Sequence, residues 1–255
     1  MEQRQEQARL AVLIDADNAQ PGVVQPLLAE VANYGIATVK RGYGDWTTNR
    51  LHGWKAVLNE YAIQPVQQFR YTSGKNSTDS ALIIDAMDLL YSGRLQGFCL
   101  VSSDSDFTRL ATRLRESGMT VYGFGDQHTP RAFVSACDRF IYTEILTNDE
   151  GQNGSPSTVA AKKKSAKELQ ADARFVNLLR TAVQSSADEE GWSLLGNIGL
   201  QIANHAPDFD PRNYGYRKLG QLVLATELFE IQDRTTKSGH VQKYVRDGQS
   251  KKAAT

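Results

Sequence analysis

Short apolar runs lead directly into acidic segments at two places in the sequence. The first acidic segment, residues 15–18, reads Asp-Ala-Asp-Asn, and the second, residues 102–106, reads Ser-Ser-Asp-Ser-Asp. Because short apolar runs are typical of buried strands, both segments are predicted to follow strands. The carboxyl ends of parallel strands meet at one edge of a sheet, which is where α/β proteins bind ligands. If the two strands are neighbours, Asp15 and Asp104 face each other at that edge.

A further aspartate, Asp79, precedes the very apolar segment 80–91 and is predicted to stand at the start of a helix. Carboxylates within a few ångströms of one another repel and raise each other's pKa unless a cation lies between them. Oxygen ligands alone suit Mg²⁺ or Mn²⁺ rather than Zn²⁺. Such an ion activates water and neutralises charge on a phosphate, so the predicted chemistry is phosphodiester hydrolysis. The predicted metal ligands and catalytic residues are Asp15, Asp79, Asp104 and Asp106.

Each of these aspartates also has a purely structural interpretation, because a single aspartate at a helix N-terminus often only caps the helix. The convergence of acids from two strand ends and one helix start is harder to explain by capping, so the metal site is favoured. Asp17, Asn18 and Ser103 adjoin the predicted ligands and are predicted to support them, although Asn18 could equally cap the next helix.

Two more aspartates on the helix of Asp79 have a different interpretation. At 100° per residue, Asp85 lies about 120° and Asp88 about 180° from Asp79 around the helix axis. Neither shares the face of Asp79, and both are predicted to belong to the solvated polar stripe of the helix.

The acidic residues need a scaffold, and residues 1–146 predict one. Apolar runs of strand length alternate with segments of helical period, which predicts a parallel sheet with helices on both faces. The predicted strands are Ala11–Ile14, Ala37–Lys40, Pro65–Phe69, Phe98–Ser102, Thr120–Phe124 and Arg139–Thr143. The predicted helices are Pro21–Asn33, Asn49–Glu60, Thr78–Tyr91, Ser105–Glu116 and Pro130–Ala136. The expected fold class is α/β, a three-layer Rossmann-like domain.

Residues 147–167 are polar, contain Gly, Ser, Pro and a lysine run, and lack apolar periodicity, which predicts a flexible linker. The lysines at 162–164 are interpreted as solvated, although they could loosely contact phosphates. The predicted elements beyond the linker are helices Glu168–Gln184, Ser193–Asn204 and Arg212–Thr226 and hairpin strands Leu228–Asp233 and Val241–Arg246. Residues 168–247 therefore predict a small winged-helix domain, which a tail, residues 248–255, follows.

Length and composition limit the class of protein. The chain has 255 residues, 40% of them hydrophobic, and 29 basic residues balance 29 acidic ones. This composition supports a globular core and excludes collagen, coiled coil and disorder throughout. No apolar stretch approaches the ~18 residues of a membrane span, and the polar N-terminus is unlike a signal peptide. The protein is expected to be cytoplasmic, with no membrane partner, and its two cysteines to be reduced packing residues.

Neither predicted domain is strongly basic, so contacts with a nucleic acid are expected from local groups. Residues 1–146 contain 14 basic and 16 acidic residues, the linker 4 and 2, and residues 168–255 contain 11 of each. The candidates for holding RNA are Arg41, Tyr43, Trp46 and Lys75 near the acids, and Arg212, Arg217 and Lys218 in the winged helix. The alternative for the aromatic residues is packing within their own domains.

Four blocks occur in order between residues 11 and 146: LIDADN, GKNSTDSALIIDAMDLLY, LVSSDSDF and GFGDQHTPRAFVSACDRFIY. In this order they resemble the NYN family, the LabA-like branch of PIN-type nucleases. The segment from Phe175 to Val245, which includes YGYRKLGQLVL, is similar to the LOTUS or OST-type winged helix that is often attached to such domains.

The first resemblance implies a PIN-like sheet and a metal-dependent ribonuclease, with the family's acidic positions at Asp15, Asp79, Asp104 and Asp106. The family often has Lys-Gly-x-Asp at its middle aspartate, whereas Lys75 is followed here by Asn-Ser-Thr-Asp, so a role for Lys75 is not implied. The second resemblance implies an RNA-binding C-terminal domain, although related domains also bind proteins. The expected partner is single-stranded RNA, and a protein partner and a homodimer are further possibilities.

Two other functions stay open on the sequence. A non-catalytic RNA-binding or regulatory adaptor with a vestigial acidic pocket would retain RNA without cleaving it. The pair Asp15 and Asp17 after a hydrophobic strand also resembles the start of haloacid-dehalogenase-type phosphatases, in which the first aspartate is a covalent nucleophile. The leading hypothesis is an endoribonuclease that uses Mg²⁺ or Mn²⁺.

Overall fold

A computed structural model describes residues 7–69, 77–147, 163–235 and 239–248. The chain divides into two compact units, residues 1–150 and residues 151–255. The N-terminal unit contains the sheet whose edge is predicted to carry the acids, and the C-terminal unit contains helices and a small antiparallel sheet.

The N-terminal unit is built on a six-stranded parallel sheet. Its strands are β1 (Arg9–Asp15), β2 (Ile36–Gly44), β3 (Gln64–Gln67), β4 (Gly97–Val101), β5 (Thr120–Gly125) and β6 (Arg139–Tyr142). The strand order is β3-β2-β1-β4-β5-β6, so the order reverses between β1 and β4, which pair directly. The predicted α/β fold class is confirmed, and the first and fourth strands are neighbours.

Helices cover both faces of this sheet. They are α1 (Val24–Val31), α2 (Trp54–Glu60), α3 (Ser77–Tyr91), α4 (Thr108–Glu116), α5 (Arg131–Ala136) and α6 (Thr143–Thr147). The sequence did not predict α6, which begins directly after β6 and buries Ile145 and Leu146. None of the described helices combines the length and the hydropathy that a membrane span needs.

The alternation of side chains along β1 divides the core between the two faces. Ala11 and Leu13 pack on the face that α3 covers, whereas Val12 and Ile14 pack on the face with α1. Complete burial of an aliphatic side chain stabilises a fold by roughly 1.5–3 kcal/mol, which makes β1 a rigid base for the residues that follow it. Asp15 continues the alternation of Ala11 and Leu13 and therefore lies on the α3 face.

The C-terminal unit packs helices against a three-stranded antiparallel sheet in the order β7-β9-β8. Its elements are α7 (Ala166–Ala171), α8 (Ala173–Ser185), β7 (Ser193–Leu194), α9 (Leu195–His205), α10 (Leu219–Ala225), β8 (Phe229–Thr235) and β9 (Val241–Asp247). The predicted helix Glu168–Gln184 is two helices, because the side chain of Asp172 accepts a hydrogen bond from Phe175 N at 3.0 Å and caps α8.

The third predicted helix of this unit also begins later than the sequence indicates. A short 3₁₀ turn, Pro211–Tyr214, ends at Gly215, which adopts a left-handed backbone with φ of 81° that glycine tolerates well. The helix α10 starts only at Leu219. The basic and aromatic residues predicted to open a helix therefore lie in a turn and the segment after it.

Candidate metal centre at the sheet edge

Three of the four predicted ligands are close together at the carboxyl edge of the sheet. Carboxylate oxygens of Asp79, Asp104 and Asp106 lie within 4.8 Å of one another. Asp79 is in the first turn of α3, Asp104 follows β4, and Asp106 is in the 3₁₀ turn that precedes α4. Asp79 is buried, Asp104 is half-buried and Asp106 is exposed, so the group opens to solvent on one side.

The fourth predicted ligand, Asp15, is fully buried and is not in this group. Its Oδ2 accepts hydrogen bonds from the Asn18 amide at 2.7 Å and from the Ser102 hydroxyl at 2.8 Å. Its Oδ1 accepts from the backbone N–H of Asp17 at 3.2 Å. Asn18 and Asp17 thus contact Asp15 as predicted supporting residues would, whereas the hydroxyl of Ser103 accepts instead from the N–H of Asp126.

Sequence reasoning missed Ser102, the residue that connects the two strand ends. Ile14 pairs with Val101, so the next residues, Asp15 at the end of β1 and Ser102 just after β4, lie side by side. Ser102 Oγ donates to Asp15 and accepts from the N–H of Asp104 at 3.1 Å. Only the strand register identifies Ser102, because the sequence does not show which residues of two strands lie opposite each other.

The carboxylates of this group repel one another, which would favour a cation between them. Burial and, after it, the charges of the nearby carboxylates of Asp15, Asp104 and Asp106 together raise the pKa of Asp79 to about 6. Burial also raises the pKa of Asp15, against the hydrogen bonds from Asn18 and Ser102 that lower it. A cation among the carboxylates would relieve this repulsion. Its ligand atoms would all be carboxylate oxygens, the donor set that Mg²⁺ and Mn²⁺ prefer.

Asp104 also caps, as the alternative interpretation of the sequence predicted, and capping is compatible with binding a metal. Its Oδ1 accepts from the backbone N–H of Asp106 at 2.9 Å and caps the 3₁₀ turn. A carboxylate has two oxygens, so capping with Oδ1 leaves Oδ2 for a cation. Capping and ligation are therefore not exclusive at this position.

The interpretation of Asp85 as a solvated residue is wrong. Asp85 accepts hydrogen bonds from the guanidinium of Arg41 and from the hydroxyl of Tyr43, both on β2. Burial raises the pKa of Tyr43, and the bond to Asp85 raises it further, so the hydroxyl stays protonated and donates. The helical angle from Asp79 was correct, but the side of α3 that carries Asp85 faces β2 rather than water. Asp88 is exposed, as predicted.

Replacing Asp85 by alanine should lower the free energy of unfolding by about 2 kcal/mol, because it leaves the largely buried hydroxyl of Tyr43 and the guanidinium of Arg41 without their shared acceptor. The matched control is Asp88→Ala on the exposed side of the same helix, which should change stability by less than about 0.5 kcal/mol. Urea unfolding of the full chain, followed by circular dichroism, measures both. Equal stability of the two variants would show that this contact does not stabilise the fold.

The predicted RNA-contacting residues beside the acids are mostly engaged in packing. Tyr43 is completely buried and offers no stacking face, and Arg41 is paired with Asp85. Trp46 is half-buried, donates from Nε1 to the carbonyl of Val66 at 3.0 Å and packs edge-on against Trp54. Lys75 lies outside the described residues.

In the C-terminal unit, the predicted basic residues differ in their surroundings. Arg212 is held by Asp210, with 2.8 Å between Nη2 and Oδ2. Arg217 and Lys218 are exposed. Tyr214 packs against Phe175, with ring centroids 4.6 Å apart. The sequence therefore located a basic segment correctly but not which of its cations stay available.

Two lysines of the predicted linker contact this same segment. The backbone N–H of Lys164 donates to the carbonyl of Tyr214 at 3.2 Å, and the hydroxyl of Tyr216 donates to the carbonyl of Lys164 at 2.7 Å. The ammonium groups of Lys163 and Lys164 lie 5.8 and 4.8 Å from the ring centroids of Tyr216 and Tyr214. These lysines are therefore not simply solvated: they add positive charge beside Arg217 and Lys218.

An aspartate that the sequence analysis did not single out also follows a strand of this edge. Asp126 comes directly after β5, as Ser102 comes directly after β4. Its backbone N–H donates to Ser103 Oγ at 2.9 Å, and its Oδ1 accepts from the N–H of His128 at 2.8 Å. The pattern of an acid at a strand end would have found it.

Comparison with solved structures gives two partial similarities. A crystal structure of a protein of unknown function from Vibrio parahaemolyticus is 17% identical, and the match covers 54% of this chain and 94% of that one with a TM-score of 0.45. An NMR structure of an uncharacterized protein from Nitrosomonas europaea is 38% identical over 38% of this chain and 90% of that one, with a TM-score of 0.28. No curated protein is similar enough to match the chain.

Family models match both parts of the chain. The model of the NYN domain matches residues 9–146, more than half of the chain, and the model of the OST-HTH/LOTUS domain matches residues 170–241. These ranges contain the parallel sheet with its acidic group and the helical unit with its small sheet, so both resemblances seen in the sequence are confirmed. The chain belongs to the NYN domain family and carries a C-terminal OST-HTH/LOTUS domain.

Proposed function

We propose that this protein is a metal-dependent endoribonuclease that hydrolyses single-stranded RNA and uses its OST-HTH/LOTUS domain to recruit the strand. The observation that carries the proposal is the group of three carboxylates at the carboxyl edge of the sheet, with Asp79 protonating near pH 6 because of its burial and its neighbours. The NYN domain, a nuclease-like fold, and the RNA-binding character of OST-HTH domains support the same function.

Asp79, Asp104 and Asp106 would hold a Mg²⁺ or Mn²⁺ ion. When bound, such an ion neutralises charge on the scissile phosphate and lowers the pKa of the attacking water. Asp15 would support these residues through a hydrogen bond from Ser102, whose hydroxyl also accepts from the backbone N–H of Asp104. The charge of Asp15 would also favour a cation nearby. Asn18 and the N–H of Asp17 in turn hold the carboxylate of Asp15 in place.

A circular single-stranded RNA tests the proposal, because it has no ends and only an endonuclease opens it. We expect linear products with Mg²⁺ or Mn²⁺ and intact circles in EDTA. Circles that bind tightly and stay intact with either metal would contradict the proposal and favour the RNA-binding adaptor. Cleavage that continues in EDTA would contradict the role of the metal.

The exposed cations of the C-terminal unit provide a separate test of RNA recruitment. Arg217 and Lys218 are exposed beside Lys163 and Lys164, so they are well placed to contact phosphates. Each phosphate contact on a single strand contributes about 0.7 to the slope of log affinity against log salt concentration. The double variant R217A/K218A should therefore reduce that slope by about 1.4 in fluorescence anisotropy with labelled RNA.

The control for this test is Lys243→Ala. The ammonium of Lys243 lies 2.7 Å from Asp233 Oδ1, so it is already neutralised by a partner. We expect its slope to stay close to that of the wild type. An unchanged slope in R217A/K218A, or an equal change in both variants, would place the RNA elsewhere.

A further inference from the structure

A cavity of about 130 Å³ lies at the point where the strand order of the large sheet reverses. Its walls come from the loop after β1, the ends of β4 and β5 and the start of α6. A water molecule occupies about 30 Å³ of the liquid, so the cavity has room for about four, which suits one flat ring system rather than a whole nucleotide. The crevice beyond such a reversal is the usual ligand position in open α/β sheets.

The cavity is connected to the acidic group by residues that are hydrogen-bonded to Asp15 and Asp104. Asn18 and Ser102 both line it, and both donate hydrogen bonds to Oδ2 of Asp15, at 2.7 and 2.8 Å. Ser102 also accepts from the N–H of Asp104. An RNA whose phosphate reaches Asp104 would therefore bring an adjacent base to this cavity.

The walls of the cavity are held by hydrogen bonds and close packing. The N–H of Asp126 donates to Ser103 Oγ at 2.9 Å, and Asp126 Oδ1 accepts from the N–H of His128 at 2.8 Å. Gly125 brings β5 so close to β4 that a Cβ at this position would lie 2.7 Å from the carbonyl oxygen of Ser102. A rigid cavity binds its ligand at a lower entropic cost than one that must form on binding.

The chemistry of the walls selects the kind of ligand. Ala19 and Val23, which are partly exposed, supply apolar surface, whereas Asn18, Ser103 and Asp126 supply polar groups. The carboxylate of Asp126 and the nearby aspartates repel a phosphate, so the ligand is an uncharged ring. Asp126 Oδ2 makes no hydrogen bond with the described residues, and a carboxylate only accepts. The ligand must therefore present a hydrogen-bond donor, and on an uncharged base this donor is an N–H group.

We infer that this cavity is a subsite for an RNA base that carries an exocyclic amino group, next to the scissile phosphate. The inference rests on the proposed ribonuclease function and adds a base preference to it. Cytosine and uracil form the sharpest comparison, because cytosine presents an amino donor where uracil presents a carbonyl oxygen. Asp126 accepts from the amino group and disfavours the carbonyl.

Binding of CMP and UMP to the full chain, followed by NMR, tests the subsite without requiring cleavage. We expect CMP to shift the amide signals of residues 101–103 and 124–126 and to bind at least about tenfold more tightly than UMP, because a carbonyl oxygen that faces the Asp126 carboxylate in place of a donor costs about 1.4 kcal/mol or more. Asp126→Asn should bring the two affinities within about twofold, because an amide both donates and accepts. Asp88→Asn, on the exposed side of α3, should leave the preference unchanged.

A second variant serves if Asp126→Asn does not fold. Gln20 is exposed and lines the cavity, so Gln20→Trp should block it and abolish the CMP-induced shifts. Equal binding of CMP and UMP to the wild type would overturn the subsite. So would a tenfold loss of Mn²⁺ affinity in Asp126→Asn, since that would make Asp126 a metal ligand. A CMP preference without RNA cleavage would retain the subsite and reject only the proposed ribonuclease.

Discussion

Asp104→Asn should reduce metal-dependent RNA cleavage by at least about 100-fold, because loss of one ligand charge removes several kcal/mol of transition-state stabilisation and 1.36 kcal/mol corresponds to a factor of ten. The substitution isolates the metal role unusually well. An asparagine retains the Oδ1 acceptor, so the hydrogen bond from the N–H of Asp106 that caps the 3₁₀ turn is preserved. Initial rates on labelled RNA at saturating Mn²⁺ measure the effect.

The control for Asp104→Asn is Asp88→Asn, which makes the same chemical change at an exposed position of α3. It should cleave at the wild-type rate, and both variants should unfold within about 2 °C of the wild type because neither changes a packing contact. Wild-type cleavage by Asp104→Asn would contradict the proposed site. Loss of cleavage that accompanies a large fall in melting temperature would instead reflect unfolding, and the circular dichroism spectrum distinguishes the two.

The second large effect is a coupling between pH and metal affinity. Asp79 has a pKa of about 6 in the fold, above its ordinary value of 3.8, and a cation binds only its charged form. The apparent Mn²⁺ affinity should therefore fall about tenfold from pH 7 to pH 5, one unit below that pKa, and level off above pH 7. Isothermal titration calorimetry in buffers of different ionisation enthalpy measures the affinity and the protons released.

The same pKa fixes the sign of the stability change without metal. Because the folded state holds the proton of Asp79 more tightly than the unfolded chain does, the metal-free protein should lose stability as pH rises from about 4 to about 7. Asp79→Asn should remove this loss and stabilise the metal-free protein at pH 7.5 by on the order of 1 kcal/mol, a figure that allows for solvent screening. A Mn²⁺ affinity that does not change with pH, or a destabilised Asp79→Asn, would contradict the coupling.

Most strands and helices of the N-terminal unit were predictable because they follow from local periodicity. Residues 11–14, 98–101 and 120–124 are short apolar runs between helical segments, and each is a strand in the structure. The helix α6 was not predictable in this way, because five residues are too few to show a helical period. The break between α7 and α8 was not predicted either. The cap at Asp172 interrupts the helix without interrupting the apolar stripe in the sequence.

The acidic group was predictable because strand ends in a parallel sheet meet at one edge whatever the details of packing. The partners of Asp85 were not, because a helical angle gives the direction of a side chain but not the element that lies there. Tyr43 illustrates the same limit: the sequence left contact with RNA and packing as alternatives, whereas in the structure β2 continues to Gly44 and the ring is buried under α3.

The sequence by itself determined the class of fold, the family and the acidic residues at two strand ends and one helix start, since these depend on residue types, their order and short-range period. Only the tertiary structure decided that Asp79, Asp104 and Asp106 form the close group while Asp15 is buried beside Ser102. The reason is the register between β1 and β4, which determines the residues that lie opposite each other in two strands far apart in the sequence. Register depends on the packing of the whole sheet, and no local pattern in either strand records it.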